Sequence, residues 1–571
     1  MNRSFVRFTS LLLFGSAAFV TLTGCGGPTT APRAAPSGGP NVVEAAAPPN
    51  ALELTFTYGS EKEKWIKTVT DAFNAAQHKT ASGKPIFVRA IPMGSGECIE
   101  DLITERRKAH LTSPASAAFI ELGNAESRAK TGKNLVGSTE NLVLSPVVIA
   151  MWKPMAEALG WGKQPIGWGD ILALARNPQG WGAQGHAEWG QFRFGHTHPE
   201  FSNSGLISLI AEAYAGAGKA KGLTTSDIGD PKVAEFIGAI ERSVVHYGSS
   251  TGFFGTKMFA NGPQYLSAAV LYENMVIESY GAAQPTTFPV VAVYPKEGTF
   301  WSDHPVGVVD RPWVSQEHRD AAKIYIKHLL ERPQQEKAME FGFRPGDVQL
   351  ALTAPLDTAH GVDPKEPKTT LEVPSADVMN SLIQLWRQHK KHSNIVLVFD
   401  TSGSMNKENR MTNARIGAVQ FLKMLGDDDE VSLLPFDSAL RWSARNIPMK
   451  TGRDEMTRRI EGLFANGGTA LYDAIDGAYQ HLLAHRQPDR ISAIVVLTDG
   501  EDTDSRIKLP ALLDRIRFDH ETKTLRVFTI KYGSEASGKV LKDIADATQA
   551  RFFEGKPENI REVFKEIATF F

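Results

Sequence analysis

Apolar positions along the chain recur in two rhythms, and the first is seen most clearly near the carboxy-terminal end. "IVLVF" at 395–399 and "ISAIVVL" at 491–497 are short, continuously apolar and rich in β-branched residues, as suits strands buried on both faces of a parallel sheet. Around them "RIGAVQFLKML", "EMTRRIEGLF", "VLKDIADAT" and "IREVFKEIATFF" carry apolar residues at helical spacing, and "EVSLLPFDS", "LRVFTIKYG" and "RFFE" read as further strands. The alternation predicts a Rossmann-like three-layer α/β domain over 393–571. Upstream the same alternation begins with a strand from Leu52 to Tyr58 and a helix carrying Trp65, Ile66, Val69 and Phe73. "KPIFVRAIPM" is the next strand, "GSGECIEDLITERR" the next helix through Ile99, Leu102 and Ile103, and "SAAFIEL" is predicted as a third strand. This βαβαβ order predicts a doubly wound sheet with loops at Ser60 and at Ser95 and Gly96 on one edge. A helix over 376–391, with Val378, Leu382, Ile383 and Trp386 on one face, closes this part and runs directly into Ser393. So short a junction holds the two folded parts near one another.

The residues that follow the two buried runs change the picture. Asp400, Thr401, Ser402, Gly403 and Ser404 follow the first, and Thr498, Asp499 and Gly500 close the second. Between them "NGGTALYDAI" sets Thr469 after Gly467 and Gly468, at the start of a helix through Leu471, Ile475 and Tyr479. Ligands of open α/β sheets bind at the carboxyl ends of the strands. Two carboxylates and three hydroxyls there form a cluster of hard oxygens, which selects Mg²⁺, Mn²⁺ or Ca²⁺ over softer metals. D-x-S-x-S, a Thr after a Gly pair and T-D-G after a buried strand resemble the metal-ion-dependent adhesion site of von Willebrand factor type A domains, over about 393–571. That resemblance implies that Ser402, Ser404 and Thr469 touch Mg²⁺ (or Mn²⁺ or Ca²⁺) and that Asp400 and Asp499 bind it directly or through water. It also implies a sixth position left for an Asp or Glu carboxylate of a protein partner. Asp437 is a candidate for the outer shell, and Glu501, Asp502 and Asp504 read as a solvated acidic loop.

In the upstream part, "ENLVLSPVVIAMW" at 140–152 reads as a strand crossing between two lobes and "GWGDILALARNP" as a helix of the second lobe. With "FGHTHPEFSNSGLISLI", and with "YPKEGTFWSDHPVGVV" before a helix containing Ala321 to Leu330, this order resembles bacterial extracellular solute-binding proteins of the two-lobed, type II periplasmic class. The resemblance implies a clamshell over 51–392 that holds a small polar or anionic solute between its lobes. Loops and helix amino termini would hold it, because free N–H groups and the helix dipole favour such ligands. The candidates are Ser60, Ser95, Gly96, Ser202, Asn203, Ser204, Tyr272 and Asn274. Ser202 to Ser204 have a second reading, as caps of the helix near Gly205. His186, His196 and His198, with Glu188 and Glu200, lack a helical i, i+4 His pair and any Cys, and read as hydrogen-bonded or solvated rather than ligating. Trp161, Trp168, Trp181 and Trp189 either stack a sugar or, the better reading, fill the second lobe's core.

The chain opens with Arg3 and Arg7 and an apolar stretch from Leu11 to Leu22 that is too short to span a membrane, a targeting segment over 1–24. "LTGC" resembles the lipobox of bacterial lipoproteins, which implies cleavage before Cys25, acylation of that Cys and lasting attachment by several acyl chains. Residues 25–50 are rich in Gly, Pro, Ala, Ser and Thr and read as a flexible lipidated tether. The implied location is the cell envelope, anchored to a bacterial membrane and facing the periplasm or exterior. Gly26 in place of an Asp leaves the outer membrane open as that anchor. The chain has two cysteines, so lipidation of Cys25 leaves Cys98 without a disulfide partner. A formal net charge of -2 and a pI near 6.8 argue against a nucleic-acid surface.

No complete P-loop, in which Ser or Thr follows the Lys, and no H-E-x-x-H occurs, so no enzyme is expected. Asp400 as a phosphate-transfer nucleophile is disfavoured, because Ser402 stands where such enzymes commonly carry a second acid. The function expected is a membrane-anchored lipoprotein that binds a protein partner through its metal site and holds a solute in its clamshell. The alternative is the receptor of an ABC-type transporter, with the metal-binding domain as an accessory.

Overall fold

A computed structural model describes residues 47–281, 285–487, 489–517, 525–533 and 535–571. Cys25, the targeting segment and nearly all of the tether lie outside the described residues. Residues 44–571 form one compact unit that contains three sheets.

The first sheet has the order Ile86–Met93, Leu52–Gly59, Leu111–Ser113, Pro305–Val309, Val136–Asn141. The first three strands are parallel and Pro305–Val309 runs antiparallel to both its neighbours. The helix Glu63–Ala76 lays Trp65, Ile66, Val69 and Phe73 into this lobe's core, as its spacing predicts. "SAAFIEL" is not a strand. The third strand is Leu111–Ser113, and Ala117–Thr131 is a helix. Short apolar runs do not separate a strand from a buried helical turn, and here Ala117, Ala118, Phe119 and Ile120 are good or neutral helix formers that follow a Ser at the helix boundary.

The second sheet is built on Val143–Trp152, which pairs antiparallel with Ala268–Tyr272, Val290–Val293, Trp301–Ser302 and Arg344–Pro345. The apolar run at 140–152 is therefore not one crossing strand. Val136–Asn141 belongs to the first sheet, Val143–Trp152 to the second, and the chain passes between lobes at buried Leu142. It returns between Trp301–Ser302 and Pro305–Val309.

The third sheet has the order Ala444–Pro448, Glu430–Phe436, Ser393–Asp400, Ile491–Thr498, Arg526–Tyr532, Phe552–Gly555, parallel throughout except at the Ala444–Pro448 edge. Every residue of the two central strands is buried. Ile395, Leu397 and Phe399 pack with Phe421, Ile460 and Phe564 on one face. Val396 and Val398 pack with Ile475, Leu512 and Ile544 on the other. That alternation makes the three layers, and the α/β class expected from the sequence is what the chain adopts.

The helix Ala376–His389 buries Val378, Leu382, Ile383 and Trp386. Trp386 meets Tyr247 and His198 edge to face, with ring centroids 5.3 and 4.7 Å apart. Lys565 of the last helix pairs with Glu100 of the first lobe and lies 5.3 Å from the ring of Phe201 of the second. Arg526 stacks 4.9 Å over Tyr265, and Lys257 Nζ donates to the carbonyl of Ala550 at 3.3 Å. Among the described residues no helix is long and apolar enough to cross a membrane.

Candidate functional site

The central strands of the third sheet run in register, with Phe399 opposite Leu497, so Asp400 and Thr498 end them side by side. Thr498 Oγ1 donates to Asp400 Oδ2 at 2.6 Å, and the Ser402 N–H donates to Oδ1 at 2.7 Å. The Ser402 and Ser404 hydroxyls are 3.0 Å apart, and Ser404 donates to Asp499 Oδ1 at 2.6 Å. A methyl placed on Gly500 would lie 3.4 Å from Thr469 Oγ1 and 3.8 Å from Ser404 Oγ, which puts Thr469 in the same cluster. All five predicted residues thus converge at one sheet edge. Backbone bonds tie the loops: Asn466 N–H to Thr401 O at 2.7 Å, Gly403 N–H to Gly467 O at 3.0 Å and Ala470 N–H to Asp437 O at 2.7 Å. Gly467 supplies the left-handed turn this requires, at φ +81°.

Burial pushes the Asp400 carboxyl up to about 6, against the hydrogen bonds of Thr498 and Ser402 that favour its charge. Asp499 has a partner that sequence reasoning missed. Arg410 Nη1 donates to Asp499 Oδ2 at 2.9 Å and Nη2 to Glu408 at 3.0 Å, and both Arg410 and Asp499 are buried. Burial opposes the guanidinium's charge, but these two carboxylates hold its pKa above the ordinary arginine value. A cation in the first turn of the helix Arg410–Met424 opposes the helix dipole, and that conflict was the available signal that it has an acidic partner elsewhere. Three hydroxyls and two carboxylates form an all-oxygen donor set that suits Mg²⁺. Asp437 holds its own turn, accepting from Ala439 N–H at 2.9 Å and from Arg441 at 2.7 Å. Asp502 accepts from the N–H of Tyr472 at 3.3 Å, while Glu501 and Asp504 are exposed.

Between the lobes, Asn203 donates to the Tyr272 hydroxyl at 3.0 Å and to Ser302 at 3.2 Å, and accepts from Ser116 at 2.5 Å. Ser202 stands at the N-cap position of the helix Asn203–Ala217, but its side chain makes no capping bond. The Ser202 and Ser204 hydroxyls are used elsewhere: they bond Thr251 at 3.1 and 3.0 Å, and Ser204 also bonds Thr197 at 2.8 Å. Ser95 accepts from Ala115 N–H at 2.9 Å, and Gly96 N–H donates to Phe201 O at 3.0 Å. A Cβ on Gly96 would come within 2.1 Å of Glu200 O, so only glycine permits this approach of the lobes. Ser60 lies against Gly252, and Asn274 bonds Ser145 at 3.1 Å and Glu61 O at 3.4 Å. Sequence reasoning missed the charged group here, since "SEK" after a strand reads as exposed loop. Lys62 Nζ lies 2.7 Å from Glu61 and 3.1 Å from His304 Nδ1, and all three side chains are buried.

The family model described as "Bacterial extracellular solute-binding protein" matches residues 54–344, just over half of the 571-residue chain. The chain belongs to this family. This solute-binding protein also carries a von Willebrand factor type A domain, matched over 394–566. An uncharacterized protein of Mycobacterium tuberculosis (strain ATCC 25618 / H37Rv) is 23% identical over 422 residues, which cover 71% of this chain and 59% of that relative's length. Among solved structures, a periplasmic thiamin binding protein is 14% identical with a TM-score of 0.43, covering 59% of this chain and 96% of its own. A von Willebrand factor type A protein from Catenulispora acidiphila is 22% identical with a TM-score of 0.28, covering 32% and 42%. The family places the protein outside the cytoplasm, in the periplasm or cell envelope.

In this solute-binding protein the tryptophans serve the core. Trp168 and Trp181 are buried, Trp161 and Trp189 pack against the same cluster, and Trp181 Nε1 donates to Ser267 at 3.0 Å. The histidines and glutamates considered together in the sequence do not meet one another as a set: His186 bonds Glu188, His196 bonds Glu241, Glu200 pairs with Arg387, and His198 packs on Trp386.

Burial alone would raise the Glu61 carboxyl, but the Lys62 ammonium and His304 hold it at about 2, against an ordinary 4.5. Its stabilisation is therefore present above pH 4.5 and lost as pH falls toward 2. Glu61→Gln is expected to flatten this acid limb of the unfolding free energy from urea titrations, by roughly 3 kcal/mol, and to lower stability at neutral pH because Lys62 loses its counter-charge. An acid limb identical to that of the unmodified chain contradicts this.

Proposed function

We propose that this protein is a membrane-anchored bacterial lipoprotein that captures a protein partner through Mg²⁺ held at Asp400, Ser402, Ser404, Thr469 and Asp499. An Asp or Glu carboxylate of the partner completes the coordination. The observation that carries this is the convergence of five oxygen-bearing side chains from three loops at one buried sheet edge. Arg410 offsets Asp499, whereas the hydrogen bonds that hold Asp400 come from neutral groups, so a bound cation supplies the charge that burial of Asp400 calls for. The protein acts by binding, with no catalysis, and Mg²⁺-dependent turnover of a phosphate ester would contradict that. Membership in the solute-binding family supports a small polar or anionic ligand for the cleft, near Asn203, Tyr272 and Ser302. Lipidation of Cys25 anchors the chain through the tether that follows it.

Full-length protein on beads is expected to capture a partner from native envelope extract in Mg²⁺ and to release it in chelator. The double substitution Ser402→Ala, Thr469→Ala should weaken capture at least about tenfold, the equivalent of about 1.4 kcal/mol. Capture equal in all three conditions sinks the adhesion reading, and capture that ignores chelator but responds to a small polar solute favours the transport receptor instead. Cys25→Ser should abolish labelling by a radioactive fatty acid and move the protein from the membrane to the soluble fraction; persistent labelling would exclude the anchor.

A further inference from the structure

The second lobe contains a polar cluster that neither the adhesion site nor the cleft uses. His196, Glu212 and Glu241 are fully buried, and one donor atom from each lies within 4.8 Å of the other two. His196 follows the short strand Phe194–Gly195, Glu212 sits in the helix Asn203–Ala217, and Glu241 ends the helix Pro231–Glu241. Three packed elements converge on one point.

Each of the three side chains has its far side already held. His196 Nδ1 lies 2.8 Å from the Thr197 carbonyl, which fixes the proton there and turns Nε2 inward. The Tyr247 hydroxyl donates to Glu241 Oε2 at 2.6 Å, and Glu241 Oε1 is hydrogen-bonded to His196 Nε2 at 3.0 Å. Ser208 donates to Glu212 Oε1 at 2.8 Å. Glu212 Oε2 has no hydrogen-bond partner although its residue is fully buried. A buried carboxylate oxygen left unpaired costs free energy. Three inward donor atoms backed by a carbonyl, a phenol and a hydroxyl have the form of ligands oriented by an outer shell.

We propose that His196 Nε2, Glu241 Oε1 and Glu212 Oε2 bind a borderline divalent cation, with Zn²⁺ as the best match. A bound divalent ion takes the place of the proton that His196 Nε2 shares with Glu241 Oε1 in the ion-free cluster, and two carboxylates with the imidazole left neutral then cancel its charge. Nitrogen and oxygen donors of this kind suit Zn²⁺, at metal–ligand distances of roughly 2 Å. The ion is structural: it pins the helices Asn203–Ala217 and Pro231–Glu241 to the strand Phe194–Gly195 behind the cleft.

The test uses the full chain carrying Ser402→Ala and Thr469→Ala, which weakens the proposed adhesion site, so that the zinc counted is read against Glu212→Gln in the same background. It is produced in Zn²⁺-supplemented medium, purified without a metal-affinity step and assayed for zinc by mass spectrometry. About one zinc per chain is expected, falling at least tenfold in Glu212→Gln with the circular dichroism spectrum retained. Ser208→Ala keeps all three ligands, and should lose zinc to a chelator about tenfold faster than the parent. Co²⁺ substituted for zinc should give visible absorption bands that Glu212→Gln abolishes. A parent chain with less than a tenth of a zinc, or a Glu212→Gln chain with as much zinc as the parent, overturns the proposal. So does a Ser208→Ala chain that loses zinc at the parent's rate.

Discussion

The structure of the carboxy-terminal domain rests on the parallel pairing of Ser393–Asp400 with Ile491–Thr498. That pairing buries a carboxylate at the end of one strand and delivers a second one residue beyond the end of the other. The opposing terms can be compared. Raising Asp400 from 3.8 to about 6 corresponds to roughly 3 kcal/mol of disfavoured charge. The apolar side chains of Ile395, Val396, Leu397, Val398 and Phe399 on the same strand each contribute about 1.5–3 kcal/mol on burial. Burial of the strand wins, and the carboxylate is carried into a place where the Thr498 hydroxyl and the Ser402 N–H hold it.

Arg410 shows how much that edge needs positive charge. It reaches across the loop to Asp499 from a helix start whose dipole disfavours it, after Glu408 and Asn409 adopt left-handed φ values of 51° and 57°. Breaking a buried pair of this kind by removing one member typically costs about 3–5 kcal/mol. The arginine gives buried Asp499 a counter-charge, and the neutral hydroxyls of Ser402 and Ser404 extend the same hydrogen-bonded edge without adding charge. The domain that carries this site is not isolated from the clamshell. Lys565 touches both lobes, and Phe570 meets His246 and Phe253 of the second lobe at centroid distances of 6.2 and 6.1 Å.

Local signals in the sequence were enough for the buried strands, the amphipathic helices and the five oxygen-bearing residues, because each of those depends on a strand end or a loop of fixed composition. What escaped was long-range or ambiguous. Arg410 and Asp499 are 89 residues apart, and nothing in either neighbourhood names the other. Glu61 and Lys62 meet His304, 242 residues beyond Lys62, so their burial has no local signal. "SAAFIEL" has an apolar run that fits either rhythm, and the run at 140–152 hides its break because Leu142 is as apolar as its neighbours. The edge strand Ala444–Pro448 and the helix Leu509–Ile516 were also missed, the first because it is short and half-exposed, the second because Pro510 reads as a breaker rather than as a helix start.

Calorimetric titration of the full chain with Mg²⁺ at neutral pH tests the central claim most directly. The account predicts a single saturable site whose heat disappears in Asp400→Asn, a change that keeps the side chain's shape and removes its charge. Saturable binding of equal strength in the variant, or no saturable heat in the unmodified chain, would contradict it.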